Sequence, residues 1–274
     1  MRLKLIRHLW GVDQPWETCF TKFKSEGYVG IETPLIDAKE QDRFTALMKS
    51  HEFEYIAMAF TGGDTVAEQI KSFEQQFRRA IELGAAQLTA HSGLDRWSLP
   101  DSETYFTEVL DIERSNKLPV AHETHRGRIF FNPWVTRMLL EKFESLRVCC
   151  DFSHWVCVAE RNNWDENNGA ILKLCADRCI HIHARVGYPE GPQVPDPSAP
   201  EYAVDLATHE SWWDAIWRSQ RARGLPSSTV TPEFGPPGYL HTLPHTNVPV
   251  ADLIKVVDWM TRRLKTRFAD ADKQ

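Results

Sequence analysis

Short apolar runs alternate with amphipathic stretches from one end of the chain to the other. The runs at Leu3–Leu9, Tyr28–Thr33, Glu54–Phe60, Ala86–His91, Pro119–Glu123, Arg147–Asp151, Cys179–Val186 and Thr229–Glu233 have the length and composition of buried strands. Between them lie stretches of helical period. In Thr65–Leu83, Val66, Ile70, Phe73, Phe77, Ala80 and Ile81 recur on one face, with Asp64 expected as N-cap and Gly84 closing the C-terminus. Ser102–Asn116, Pro133–Phe143, Asn167–Cys175, His209–Gly224 and Val250–Arg267 read the same way.

Strand onsets fall about 25 to 33 residues apart until a longer last interval, the rhythm of repeated βα units. Eight such units in one chain predict an α/β protein whose single domain, residues 1–274, is a (β/α)8 TIM barrel. A doubly wound sheet would carry a glycine-rich turn after its first strand, whereas here L-W-G-V-D-Q-P follows. In a barrel, catalytic groups stand at the C-terminal strand ends, so those ends are where chemistry is sought.

Composition narrows the class. The 274 residues are 42% hydrophobic and 26% charged with a net charge of -6, which fits a globular enzyme and disfavours a nucleic-acid partner. No stretch suits a membrane span, and M-R-L-K-L-I-R-H-L-W lacks the pattern of a secretory leader. The six cysteines (Cys19, Cys149, Cys150, Cys157, Cys175, Cys179) form no spaced framework, and reduced thiols of a cytoplasmic protein are expected.

The run C-I-H-I-H-A-R-V, Cys179–Val186, sets His181, His183 and Arg185 on one face of a strand and Ile180, Ile182, Ala184 and Val186 on the other. Taken alone it reads as a strand with two core histidines. Other strand ends change that reading: Glu32 in V-G-I-E-T-P, His91 in L-T-A-H-S-G, Glu123 in P-V-A-H-E-T-H-R-G, Asp151 in V-C-C-D-F-S-H-W and Glu233 in T-V-T-P-E-F-G. A carboxylate after one strand is ordinarily an N-cap or a solvated turn. Four consecutive strands ending in Glu123, Asp151, His183 and Glu233 could converge on one axis, where three carboxylates need a cation or protons between them. Three oxygens and one imidazole suit one divalent ion per chain, Mn²⁺, Mg²⁺ or Co²⁺, with Zn²⁺ also admissible. His183 is then the ligand, and His181 lies one layer deeper.

The H-E-T-H, D-F-S-H, H-I-H-A-R and P-E-F-G stretches, each after the expected strand, resemble those of the xylose isomerase-like barrel superfamily of sugar isomerases and epimerases. The resemblance spans nearly the whole chain. It is similar in particular to ketose 3-epimerase-like members, which implies Glu123, Asp151, His183 and Glu233 as ligands of one metal and Glu123 and Glu233 as the proton-moving pair. It also implies that His154 contacts or orients the sugar. The sequence departs from the two-metal xylose isomerases, because T-H-R-G-R follows Glu123 in place of their lysine-bearing segment. It departs from endonuclease IV-like relatives in lacking the further D-x-H and histidine of a trinuclear zinc site.

These residues imply a metal-dependent sugar isomerase or epimerase acting through an enediolate. The competing readings are a keto-sugar lyase or dehydratase, inosose dehydratase-like or eliminating from a 3-oxo-glycoside, and a noncatalytic carbohydrate-binding barrel. For the substrate, Glu32, His91, His125, His154, Arg185 and Trp155 are candidate contacts, with Arg185 above the site, free for a substrate anion or for loop acids. Trp97, Trp134 and Trp155 are expected as pocket walls. The proline-rich segment Gly187–Ala207 is expected to roof the site, offering Tyr188, Glu190 and Gln193. E-F-G-P-P-G-Y is poor in N–H donors, which favours a free sugar over a sugar phosphate. Trp212, Trp213, Ile216 and Trp217 make an apolar stripe, either core or overflow into a homo-oligomer interface, and Ala269–Gln274 reads as a polar tail.

Overall fold

The computed structural model describes residues 1–165 and 169–271. Eight parallel strands, β1 (Arg2–His8), β2 (Gly30–Pro34), β3 (Glu54–Phe60), β4 (Gln87–His91), β5 (Val120–Glu123), β6 (Val148–Cys150), β7 (Cys179–His183) and β8 (Ser227–Thr231), pair in chain order into a closed barrel. Closure comes from β1 lying beside β8, with Arg2 opposite Ser227 and Leu5 opposite Val230. Both faces of the strands are covered, so β3 reads E-Y-I-A-M-A-F with an unbroken buried middle rather than an alternation.

Among the described residues the outer layer holds α1 (Trp16–Ser25), α2 (Gln41–Ser50), α3 (Val66–Glu82), α4 (Leu99–Arg114), α5 (Pro133–Lys142), α6 (Ser153–Ala159), α7 (Ala170–Arg178), α8 (Ala203–Ala222) and α9 (Leu253–Ala271). Nine helices rather than eight result because the stretch between β6 and β7 breaks after α6, where Glu160 turns left-handed at φ 52°. The aromatic side chains of these helices, among them Phe20, Phe44, Phe73, Phe77, Phe106, Trp213 and Trp217, fill the layer between helix and sheet.

Helix ends differ from expectation by the capping chemistry. At α3 the cap is Thr65, not Asp64: Glu68 N donates to Thr65 Oγ1 at 3.3 Å, and Glu68 Oε2 accepts from Thr65 N at 3.0 Å. Gly84 follows the C-cap Leu83, two residues past Glu82, at φ 69°. For α9, Asp252 Oδ1 accepts from Ile254 N and Lys255 N, which starts the helix at Leu253 rather than Val250. That helix continues through Ala271, so Ala269–Ala271 are helical rather than tail, and residues 272–274 lie outside the described residues. The helix expected from Asn167 runs over Ala170–Arg178, and Asn167 itself lies outside the described residues. Ala203–Ala207, expected as loop, form the first turn and more of α8.

The tryptophan stripe of α8 is core. Trp212 packs on Trp164 and Phe152, Trp217 on Phe268, and Trp213, Ile216 and Trp217 are fully buried within the chain, leaving nothing of the stripe for an interface. All six cysteines are unpaired. Among the described residues, no helix is long and apolar enough to cross a membrane.

Candidate functional site

Because all strands run the same way, their C-terminal ends share one rim of the barrel. Glu123 is the last residue of β5, Asp151 follows β6, His183 ends β7 and Glu233 stands just past β8. These four are buried, and one ligand atom from each lies within 4.8 Å of the others. The spacing expected for a shared coordination sphere is therefore present.

The orientation of His183 comes from below. Its Nε2 faces Glu32 Oε1 at 3.0 Å and Oε2 at 3.1 Å, which places the proton there and turns Nδ1 into the site. Nδ1 lies 2.9 Å from Glu233 Oε2 and 3.3 Å from Glu123 Oε1, and His91 Nε2 lies 2.5 Å from Glu123 Oε2. Close as they are, these contacts miss hydrogen-bond alignment. His183 Nδ1, both Glu123 oxygens, Glu233 Oε2 and His91 Nε2 are consequently buried with no hydrogen-bond partner. Each such group costs ~1–3 kcal/mol. Unpaired atoms of two carboxylates, Glu123 and Glu233, and of the His183 imidazole gather at one point beside the hydrogen-bonded Asp151, and three carboxylates with one imidazole match the donor set of a divalent cation.

Asp151 is the most tightly held of the four. Its Oδ1 accepts from Ser153 N at 3.0 Å and Ser153 Oγ at 2.5 Å, and Arg185 pairs with Oδ2. A carboxylate offers about four lone-pair sites, so these bonds leave room for a metal. Burial pushes the Asp151 carboxyl up to about 6 against the pull of Arg185. At Glu233 burial acts in the same sense, but Arg185 and His183 outweigh it and hold the group at about 2. Burial also opposes ionisation of Glu123, yet His91 and His183 hold it well below the usual range. Burial pulls His183 down, and Cys149, Glu233, Glu32 and Glu123 together raise it well above its ordinary value.

Arg185 does not rise above the site toward loop acids. By strand alternation it continues the inward face of His181 and His183, and it is 1% exposed. Its Nε donates to Ser153 Oγ at 3.2 Å, Nη2 lies 3.8 Å from Glu233, and the guanidinium sits 4.9 Å from the Tyr239 ring centre. His154 lies fully buried beside Arg185 Nη2, with its Nε2 at 2.6 Å, and its ring is tilted against that of His125 at 3.9 Å, away from open space.

Glu32 is corrected from substrate contact to support. It is fully buried beneath the site and accepts from Thr89 Oγ1 at 2.7 Å and Thr231 Oγ1 at 2.6 Å as well as from His183. His181 lies in that deeper layer, as expected, with Nε2 3.2 Å from Glu32 Oε2 and Nδ1 2.9 Å from Thr229 Oγ1.

A cavity of about 410 Å³ opens above the cluster. His91, His125, Arg185 and Glu233 line it. Trp155 does not: it is buried on α6 among Phe152 and Trp164, and its Nε1 donates to Phe130 O at 2.9 Å. Trp97 packs on Tyr105, and Trp134 lies 42% exposed beneath Arg161. Nor does the segment Gly187–Ala207 supply lining. Gln193 is 1% exposed, and its amide donates to Gly235 O at 3.0 Å and accepts from Gly235 N at 2.7 Å. Tyr188 rests on Tyr202 and His241.

The walls that sequence reasoning missed are His8, Leu9, Trp10, Thr33, Pro34, Met58, Phe60 and Tyr239. His8 had a signal, since it ends β1 as Glu123 and His183 end their strands. Trp10 N donates to its Nδ1 at 2.7 Å, leaving Nε2 3.0 Å from Met58 Sδ. Trp10 and Tyr239 come from loops far apart in sequence and meet edge to face at 5.0 Å. Trp10 fits there because Gly235 has no side chain; a Cβ on it would lie 2.2 Å from the indole.

A family model described as xylose isomerase-like TIM barrel matches residues 10–200. No curated protein sequence matches the chain. A 3-keto-D-glucoside 4-epimerase from E. coli superposes with a TM-score of 0.64 at 14% identity, over 97% of this chain and 100% of that one. A probable 3-DHS dehydratase from Bacillus anthracis gives 0.63 at 13% identity, over 96% and 99%. An AP endonuclease, family 2, from Brucella melitensis gives 0.58 at 14% identity, over 86% and 94%. At these identities the likeness is one of fold, and three differently described proteins share it.

Proposed function

The chain belongs to the xylose isomerase-like TIM barrel family, and on that premise we propose that it is a divalent-metal-dependent sugar isomerase or epimerase working by proton transfer. The observation that carries the reading is the buried convergence of Glu123, Asp151, His183 and Glu233, with ligand-type atoms left unpaired. The description of the E. coli structure as a 3-keto-D-glucoside 4-epimerase supports the same substrate class.

Glu123, Asp151, His183 and Glu233 would hold the ion, manganese being one that suits the donor set. A divalent ion there would polarise a substrate carbonyl and offset charge developing on its oxygen. The protein's own groups do the rest. Glu233 lines the cavity and Glu123 stands across His183 from it, and both are held ionised, so either can take a carbon-bound proton near neutral pH. Arg185 fixes Asp151 and approaches Glu233, and His91 and His125 face the cavity where hydroxyl groups would lie. Return of the proton to the opposite face is epimerisation, and its return to the adjacent carbon is isomerisation. The unpaired cysteines fit a reducing, cytoplasmic setting.

A panel of ketoses and 3-oxo-glycosides incubated with the Mn²⁺-loaded enzyme in deuterated water tests this. Deuterium should appear at the reacting carbon of the product. Glu123→Gln and Glu233→Gln should each lose roughly 10²–10⁴-fold in turnover. Full turnover with unlabelled product would refute proton transfer, and loss of a β-substituent would mark the protein as a lyase.

A further inference from the structure

The cavity reverses the usual order of polarity with depth. Its buried lining is largely polar: His8, Thr33, His91, Arg185 and Glu233. Its half-buried and exposed lining is largely apolar: Leu9, Trp10, Pro34, Phe60 and Tyr239, with Phe60 42% exposed. A soluble protein gains nothing by holding aromatic rings open to water, so an apolar rim above a polar floor points to a ligand built the same way. From this we infer that the substrate is an uncharged keto-glycoside, its carbonyl-bearing sugar ring at the inner polar end and an aryl or alkyl aglycone against Trp10, Phe60 and Tyr239. The inference rests on the sugar reading above and goes on to specify the rest of the molecule.

Charge supports it. Among the described residues the lining contains one arginine and no lysine, and that guanidinium, Arg185, already pairs with Asp151 and approaches Glu233. A phosphate or carboxylate at the inner end would find Arg185 already engaged, and Glu233 would repel it. The rings are also fixed rather than adaptable. Trp10 is seated on Gly235 and braced by Tyr239 at an interplanar angle of 82°, and Phe60 lies against His91 at 4.3 Å. A second sugar ring could stack on the same rings, but its hydroxyls would need partners. Leu9, Pro34 and Phe60 offer no side-chain hydrogen bond, and the Tyr239 hydroxyl stands 3.5 Å from His125 Nε2.

The test is calorimetric titration of the Mn²⁺-loaded enzyme with matched phenyl and methyl glycosides of glucose, galactose and mannose in their 3-oxo forms, together with cellobiose and glucose 6-phosphate. For the sugar that binds, the phenyl glycoside should bind roughly 10- to 100-fold tighter than the methyl one, the return on burying one aromatic ring. Trp10→Ala and the exposed-site variant Phe60→Ser should each shrink that ratio, with far-UV circular dichroism confirming the fold. Equal affinity for phenyl and methyl glycosides would overturn the aglycone and leave the sugar reading standing. Cellobiose binding as tightly as the phenyl glycoside, or glucose 6-phosphate binding tighter, would overturn it in favour of a second sugar or an anion. Failure of every glycoside to bind would overturn the sugar reading and this inference with it.

Discussion

Replacing Glu32 with Gln should weaken metal binding even though Glu32 is no ligand. The carboxylate is fully buried, and burial alone would raise its pKa, but His183 and His181 outweigh that and hold it well below the usual range. It receives Thr89 Oγ1 at 2.7 Å, Thr231 Oγ1 at 2.6 Å, His181 Nε2 at 3.2 Å and His183 Nε2 at 3.0 Å. Gln keeps one acceptor oxygen and sets an NH₂ where donors already point, so a hydroxyl can turn but an imidazole N–H cannot. His183 then loses the charge-assisted bond that presents Nδ1 to the site. Removing such a supporting partner typically costs ~10–100-fold in metal affinity, or ~1.4–2.8 kcal/mol. Competition against a chromophoric chelator measures the Mn²⁺ Kd, and circular dichroism checks the fold. An unchanged Kd in Glu32→Gln, alongside lost binding in Asp151→Ala, would show that Glu32 merely fills space and that His183 is oriented by something else.

Removing the metal with a chelator should lower Tm, because ligand at a hundredfold excess over Kd contributes about 2.7 kcal/mol and a chain of this size shifts ~2–4 °C per kcal/mol; a chelator-insensitive melt would count against the site. His209 offers a pH test: burial holds it down to about 4 from 6.5, with Nδ1 donating to Asp205 O and Nε2 accepting from Gly187 N. Its depressed pKa makes the folded state resist protonation, so its stabilising effect is full above 6.5 and falls as pH drops toward 4, by up to ~3 kcal/mol. His209→Gln should flatten that part of the stability curve in urea melts, and parallel curves for variant and parent would contradict the assignment. Gly235→Ala should push Trp10 off its seat, since the new Cβ falls 2.2 Å from the ring, and raise KM more than it lowers kcat; unaltered kinetics would mean Trp10 is not a working wall.

The barrel was legible because burial on both strand faces writes long apolar runs, and parallel strands need a crossover helix between them. The floor of the site was legible for the same reason: a polar side chain ending such a run has few places to point. Depth and direction were harder to read. Glu32 ends its strand like Glu123, yet Thr89 and Thr231 hold it a layer lower, which depends on strand stagger rather than local pattern. Trp155 follows Asp151 closely but sits on the helix face turned to the outer layer, a rotation that one short helix does not reveal. Trp10, Phe60 and Tyr239 converge only because the barrel closes, and nothing in their own segments records that encounter.

The two hydrogen bonds between the Gln193 amide and the Gly235 backbone constrain how the loops of this barrel can be altered. One side-chain amide satisfies both polar groups of a distant residue's backbone, as a neighbouring strand would, so the loops after β7 and β8 are stitched into a single frame. A residue inserted into either loop slides one half of the stitch past the other and strands a buried N–H and C=O together. In a fold whose loops are its natural place for variation, these two loops are therefore not independent modules. The unit to transplant between relatives is the pair.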